Sequence, residues 1–142
     1  MATLITDKNY YNLMKDIDTS TLENTLVKEL TERNMKISSA ESCTGGMISQ
    51  RITNVSGASN VFELGVCSYA NRIKNKVLDV KNETLNTVGA VSEETATQMC
   101  EGIKELASSD IGVSTTGIAE PTGGTDKKTV GLVFIEIATK ES

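Results

Sequence analysis

Apolar positions along the chain switch repeatedly between a helical period and the alternation of a strand. The first clear helix follows Ser20, because Ser20-Thr21-Leu22-Glu23 has the form of a capping box and apolar residues then recur at helical spacing. The pattern predicts helices at residues 21–34, 47–53, 70–78, 83–88 and 92–107, and strands at residues 35–38, 61–69, 109–116 and 130–138, with 61–69 mostly buried. Such alternation is typical of a single three-layer α/β/α domain with a central sheet.

Composition narrows the class of protein. A chain of 142 residues fits one domain, here residues 20–142 after an N-terminal extension at 1–19, and its core must be largely aliphatic because Trp is absent. A formal charge of −5 argues against nucleic acid as a partner. No apolar run reaches the length of a membrane span and no signal peptide is evident, so we expect a soluble, cytoplasmic protein. Three unclustered cysteines fit reduced thiols better than disulfides or a metal site.

A small polar turn at residues 39–46 lies between a predicted strand and a predicted helix. Ser42 would lie at the carboxyl edge of the sheet, where open α/β folds bind ligands. Backbone N–H groups at residues 43–46 would be unpaired there and able to bind an anion. The alternative is an ordinary strand-to-helix turn in which Ser or Thr caps the helix.

Histidine is absent from the chain, which excludes Ser-His-Asp and Cys-His catalysis within it. If Ser42 is a nucleophile, its base must be a lysine, a tyrosine or a carboxylate. Tyr69, at the end of a predicted strand, and Lys74, in the first turns of the next helix, could face the same edge as Ser42. By default such a tyrosine packs with its hydroxyl in water, such a lysine is solvated, and Cys43 is a small packing residue.

Five motifs occur in a fixed order: Ala40-Glu41-Ser42-Cys43-Thr44-Gly45-Gly46, Ser68-Tyr69-Ala70-Asn71 with Lys74, Gly89-Ala90-Val91-Ser92-Glu93, Thr116-Gly117-Ile118-Ala119, and Gly123-Gly124-Thr125 before Val130-Gly131-Leu132-Val133. Together they resemble the C-terminal domain of the CinA family, which includes nicotinamide mononucleotide deamidases. The resemblance implies hydrolysis of the carboxamide of nicotinamide mononucleotide in pyridine nucleotide salvage, without a cofactor or metal. It assigns the catalytic roles to Ser42, Tyr69 and Lys74, with Ser42 as nucleophile and Lys74 and Tyr69 as base or relay.

The same resemblance suggests which groups bind the substrate. Donors for the anionic carbonyl oxygen could be backbone N–H groups near Cys43 and Thr44, or near Thr116 and Gly117. The phosphate needs another loop rich in N–H groups, and the pairs Gly45-Gly46 and Gly123-Gly124 are the candidates.

The sequence departs from the family pattern in three places, one of which is Thr129, where the family usually has proline after the lysine. Glu120 stands where the family usually has glycine before proline, and the family domain normally continues beyond the last predicted strand, so we expect a sheet shortened at the C-terminus. Two alternatives therefore stand beside the amidase: a catalytically silent nucleotide-binding or regulatory relative, and a hydrolase of a different amide. A homo-oligomer is expected from the resemblance and from the cover that a shortened sheet needs.

Overall fold

The computed structural model describes residues 12, 15 and 21–140, so most of the predicted N-terminal extension lies outside the described residues. In chain order the elements are α1 (Leu22–Glu32), β1 (Ile37–Glu41), α2 (Met47–Thr53), a 3-10 turn (Ala58–Asn60), β2 (Phe62–Cys67), α3 (Asn71–Leu78), α4 (Asn82–Thr87), α5 (Glu93–Ala107), β3 (Ile111–Gly117) and β4 (Val133–Ala138). Ser92 caps α5 as predicted, since its side chain accepts a hydrogen bond from the backbone of Thr95.

The four strands form one mixed sheet in the order β2-β1-β3-β4. β1 runs parallel to both β2 and β3, and β4 is antiparallel to β3. Glu41, the last residue of β1, pairs with Cys67 on one side and Thr115 on the other. The residues that follow β1 and β2 therefore emerge side by side at the same edge of the sheet.

Helices cover both faces of the sheet, which confirms the predicted α/β architecture. Residues of α1 and α2 pack with the ends of the strands in one buried cluster: Val27, Leu30, Ile37, Ile52, Ala58 and Val61. The other buried cluster joins β1, the end of α3 and the residues after it, and α5: Ala40, Leu78, Val80, Met99 and Ile103. Across the described part of the chain, no helix is long and apolar enough to cross a membrane.

The structure corrects two predicted strand boundaries and one prediction of burial. β1 continues to Glu41, so residues 39–41 belong to a fully buried strand rather than to the turn. β2 is not mostly buried: its residues alternate between half-buried and exposed because it is an edge strand. β4 begins at Val133 rather than residue 130, since residues 129–132 form a turn in which Leu132 N–H donates to Thr129 O and Gly131 has a φ of 93°.

One side of β4 is apolar and open to solvent. Val133, Ile135 and Ile137 are 40%, 60% and 62% exposed, and they alternate with half-buried residues along the strand. Within residues 21–140 this side of the sheet edge is therefore uncovered.

Candidate active site

Ser42 is the first residue after β1. Its backbone N–H donates to Thr115 O at 3.0 Å, which continues the pairing with β3 by one residue, and its side chain is only 8% exposed. The chain then reverses: Gly45 N–H donates to Ser42 O, and Gly45 and Gly46 have φ values of 61° and 106°. Only glycine adopts these backbone conformations readily, so the glycine pair allows the tight turn that leads into α2.

Lys74 is a fully buried lysine on α3, with 1% of its surface exposed. Its side-chain nitrogen lies 3.0 Å from Ser42 Oγ, 2.7 Å from Ser68 O and 3.0 Å from Tyr69 O. Ser68 and Tyr69 follow β2 directly, and Ser68 N–H donates to Glu41 O, so β1 and β2 end together. The parallel pairing of these strands thus brings the lysine and the serine into contact.

The surroundings of Lys74 favour its neutral form. Burial lowers the pKa of its amine from the ordinary 10.5, and the thiols of Cys67 and Cys43 only partly oppose this effect. No carboxylate among the described residues contacts the amine. Lys74 Nζ donates to Ser42 Oγ and to the two carbonyl oxygens. When the amine is neutral, its two hydrogens bind the carbonyl oxygens and its lone pair can accept the hydroxyl proton of Ser42.

Tyr69 contributes its backbone, not its hydroxyl, to this contact. Its side chain is 56% exposed, and its hydroxyl donates to Glu120 Oε1 at 3.0 Å. That hydrogen bond and the charge of Glu120 raise the pKa of the Tyr69 phenol. The structure therefore places Tyr69 at the same edge as Ser42 and Lys74, with the phenol held by Glu120.

The backbone N–H groups of Cys43 and Thr44 lie beside Ser42 and interact with the thiol of Cys43. Within the described residues, Cys43 and Thr44 donate no backbone hydrogen bond, whereas Gly45 N–H is already engaged by Ser42 O. The thiol of Cys43 is half-buried, and burial raises its pKa, with these two N–H groups and Lys74 opposing the effect. Cys43 is therefore a protonated thiol at neutral pH, and the role of its N–H and that of Thr44 as oxyanion donors stays a prediction.

Of the other predicted binding residues, Thr116 and Gly117 follow Thr115 at the end of β3, beside the backbone of Ser42, and Gly123 and Gly124 lie in the loop after β3. Thr116 is buried and its hydroxyl donates to Ala90 O at 2.7 Å. Thr116 and Gly117 lie within β3, opposite Phe134 and Val133 of β4, so they form part of the sheet. Gly123 and Gly124 lie in the exposed loop between β3 and β4, where Gly123 N–H closes a turn onto Glu120 O.

Sequence reasoning missed Glu41, which is fully buried beside Ser42 and bound by four hydrogen-bond donors. The sequence did contain a signal, since Glu41 is an ionisable residue among small residues directly before the serine. Periodicity of apolar positions does not reveal such a residue as functional. Within the same described residues, no group of three His, Cys, Asp or Glu side chains is placed to hold a metal ion.

These features define an α/β domain with a buried serine–lysine pair at the carboxyl ends of two parallel strands. The family description "CinA C-terminal domain" matches residues 19–142, and the chain belongs to this family. A relative from Thermoanaerobacter pseudethanolicus is 50% identical over 125 residues, which is 88% of this chain and 30% of that protein. A "CinA-like protein" of Kosmotoga olearia is 54% identical over 114 residues, or 80% of this chain and 28% of that protein.

Solved structures agree with the family assignment. The crystal structure of competence/damage inducible protein CihA from Agrobacterium tumefaciens matches with a TM-score of 0.84 and 39% identity, over 85% of this chain and 73% of that one. The chain spans about 30% of the length of the curated relatives named above. The match to this family therefore concerns one domain of those longer proteins.

Proposed function

We propose that this domain is a serine amidohydrolase that converts nicotinamide mononucleotide and water to nicotinic acid mononucleotide and ammonia. The observation that carries the proposal is the contact of 3.0 Å between Lys74 Nζ and Ser42 Oγ in a buried site. Family membership supports the choice of substrate, because the CinA family that the sequence resembles includes nicotinamide mononucleotide deamidases.

The first half of the reaction uses the lone pair of Lys74. The amine accepts the hydroxyl proton of Ser42 while Oγ attacks the carboxamide carbon, and the carbonyl oxygen becomes an oxyanion. The N–H groups of Cys43 and Thr44 stabilise that charge. The ammonium of Lys74 then gives its proton to the leaving nitrogen, so ammonia departs and an acyl ester remains on Ser42.

The second half repeats the proton transfers with water. Lys74, neutral again, accepts a proton from a water molecule that attacks the ester carbonyl. Its ammonium returns the proton to Ser42 Oγ as the ester bond breaks, which releases the carboxylic acid and restores the starting state. Ser68 O and Tyr69 O hold the amine in place throughout, since they bind it in both of its protonation states.

The deciding experiment incubates the purified protein with nicotinamide mononucleotide at neutral pH and follows ammonia and nicotinic acid mononucleotide together. We expect equal amounts of both products from the wild type and none from Ser42→Ala. Ammonia without the mononucleotide acid, or equal activity in Ser42→Ala, would contradict the proposal.

A catalytically silent nucleotide-binding protein is the second candidate, and the hydrogen bond between Tyr69 and Glu120 favours it. The carboxylate of Glu120 is held at the edge where Ser42 lies, and its negative charge would disfavour the oxyanion that turnover requires while leaving the pocket in place. A silent protein would be stabilised thermally by nicotinamide mononucleotide without forming ammonia, because a ligand that binds only the folded state raises the apparent stability. Stabilisation with product formation supports the amidase instead.

A further inference from the structure

Glu41 is a fully buried carboxylate at the end of the central strand, directly before Ser42. Its Oε1 accepts hydrogen bonds from the hydroxyl of Thr44 at 2.7 Å and from Ile48 N–H at 2.8 Å. Its Oε2 accepts from the N–H of Ser49 at 3.1 Å and from the hydroxyl of Ser49 at 3.0 Å. Each oxygen therefore binds one backbone donor of α2 and one hydroxyl.

The carboxylate fixes the direction of the hydrogen bonds among the neighbouring hydroxyls. A hydroxyl has one proton, and a carboxylate can only accept, so the protons of Thr44 and Ser49 point to Glu41. It follows that Thr115 donates to Thr44 over 2.8 Å and that Ser39 donates to Ser49 over 2.9 Å. The network connects β1, the turn, α2 and β3 through a single side chain.

The donors keep Glu41 ionised in spite of its position. Burial alone would raise the pKa of this carboxyl group, but the hydrogen bonds from Ile48, Thr44 and Ser49 outweigh it and hold the pKa below the ordinary value. The negative charge lies at the first turn of α2, where the helix dipole favours it. Glu41 thus occupies the N–H groups of α2 that an anionic ligand would otherwise meet.

We propose that Glu41 is a positioning residue for catalysis: its carboxylate binds Thr44 and the start of α2 to the end of β1, and so closes the turn at residues 42–46 that sets Ser42 against Lys74. This inference rests on the proposed serine chemistry. Glu41 touches neither Ser42 Oγ nor Lys74 Nζ in the described hydrogen bonds, so it acts through the turn.

The isosteric variant Glu41→Gln isolates the effect. In either orientation of the glutamine amide, its NH₂ group replaces one carboxylate oxygen and faces one backbone N–H and one hydroxyl. An NH₂ group cannot accept the backbone hydrogen bond, so the contacts of one of the two oxygens are lost. Glu63→Gln is the matched control, because it makes the same change on an exposed residue of β2. Both variants are compared per folded molecule, at a temperature well below their Tm.

Two readouts are measured on the full chain: hydrolysis of nicotinamide mononucleotide, and the rate at which a fluorophosphonate labels Ser42. We expect Glu41→Gln to lower kcat by about 10²-fold with KM roughly unchanged, since small misplacement of reacting groups has costs of this size. The labelling rate should fall with kcat, and Glu63→Gln should match the wild type. A purely structural role would lower the folded fraction but leave kcat per folded molecule unchanged, which would overturn the inference.

The two readouts separate this inference from the proposed function. If the wild type is labelled at Ser42 but does not hydrolyse the mononucleotide, the proposed substrate is wrong, and slower labelling of Glu41→Gln still supports the positioning role. If Glu41→Gln is labelled as fast as the wild type, the positioning role is wrong and the proposed function is unaffected. An unlabelled wild type overturns the positioning role as well, because there is then no reactive serine to position.

Thr44→Val serves if Glu41→Gln does not fold. Valine has nearly the shape of threonine. The substitution removes one of the four donors to Glu41 and keeps the backbone N–H of residue 44. We expect a smaller loss of kcat, about tenfold, again with little change in KM. Wild-type kcat in this variant would contradict the network as the means of positioning.

Discussion

Lys74 Nζ and Ser42 Oγ lie 3.0 Å apart, although 32 positions separate the two residues in the sequence. The serine follows the central strand and the lysine belongs to the helix after the neighbouring strand, so the parallel pairing of β1 and β2 creates their contact. Because both groups are buried, the proton that they share is shielded from solvent, and its position governs the chemistry of the site.

The first prediction concerns the nucleophile. Ser42→Ala removes the hydroxyl and should abolish detectable product formation, while the Tm changes little because the backbone hydrogen bonds of residue 42 remain. Product formation is measured by chromatography of the two mononucleotides and Tm by circular dichroism. The control is Ser56→Ala in the exposed loop after α2, which should keep full activity. Wild-type turnover in Ser42→Ala would remove Ser42 from the mechanism.

The second prediction concerns the base and links activity to stability. Lys74→Met should lower kcat by about 10³-fold, within the range that general bases contribute. At neutral pH it should preserve or raise the free energy of unfolding, because an apolar side chain of similar length replaces a buried amine. Urea unfolding and turnover are compared with those of Lys76→Met, an exposed position on the same helix. A variant that is active, or that is strongly destabilised, would contradict this assignment.

The pH dependence follows from the lowered pKa of Lys74. Only the neutral amine accepts a proton, so kcat/KM should rise with pH through a pKa below 10.5 and then reach a plateau. Lys74 also lowers the free energy of unfolding, whereas a lysine in an ion pair would raise it. The unfolded chain binds the proton of Lys74 more readily than the folded chain, because the folded pKa is the lower one. The loss of stability is therefore full below the folded pKa and vanishes above 10.5. The stability gain of Lys74→Met should therefore disappear at high pH. A wild-type rate that falls between pH 7 and 9 would contradict the assignment.

The order of helices and strands could be read from the sequence because apolar periodicity and capping are local. The helix capped by Ser92 is the clearest case, since its cap, acidic first turn and apolar stripe all agree. The prediction of β2 as a mostly buried strand was wrong because an edge position depends on the strand order, which the pattern of one segment does not contain.

The candidate site was predictable in part. The resemblance supplied Ser42 and Lys74, and the structure brings them into contact. The burial of Lys74 does not follow from the local pattern, because a lysine on a short helix is ordinarily solvated. The network around Glu41 was missed because its donors come from residues three to eight positions further along the chain and meet only when the turn closes.

The fourth prediction concerns the hydrogen bond between Tyr69 and Glu120. Glu120→Gly removes the acceptor of the Tyr69 hydroxyl and should lower the pKa of that phenol toward its ordinary value, as measured by ultraviolet titration against Tyr69→Phe. Turnover should stay equal or rise a few-fold, because the net free energy of one exposed hydrogen bond corresponds to a rate change of about this size. Any gain should vanish when Tyr69→Phe is added. A large loss of activity in Glu120→Gly would show that the carboxylate has a positive role.

The last prediction concerns the packing that holds the helix of Lys74. At Gly102 in α5 an added Cβ would lie 2.1 Å from the backbone oxygen of Leu78, the last residue of α3. Helix propensity alone favours Gly102→Ala by about 1 kcal/mol. Because neither backbone can yield easily, we expect the opposite sign, a loss of about 1–3 kcal/mol in the free energy of unfolding. Urea titrations decide between the two signs, with the exposed neighbour Glu101→Ala as the control for propensity. A stabilised Gly102→Ala would mean that α3 and α5 are not in this close contact, and the buried position of Lys74 would then need a different support.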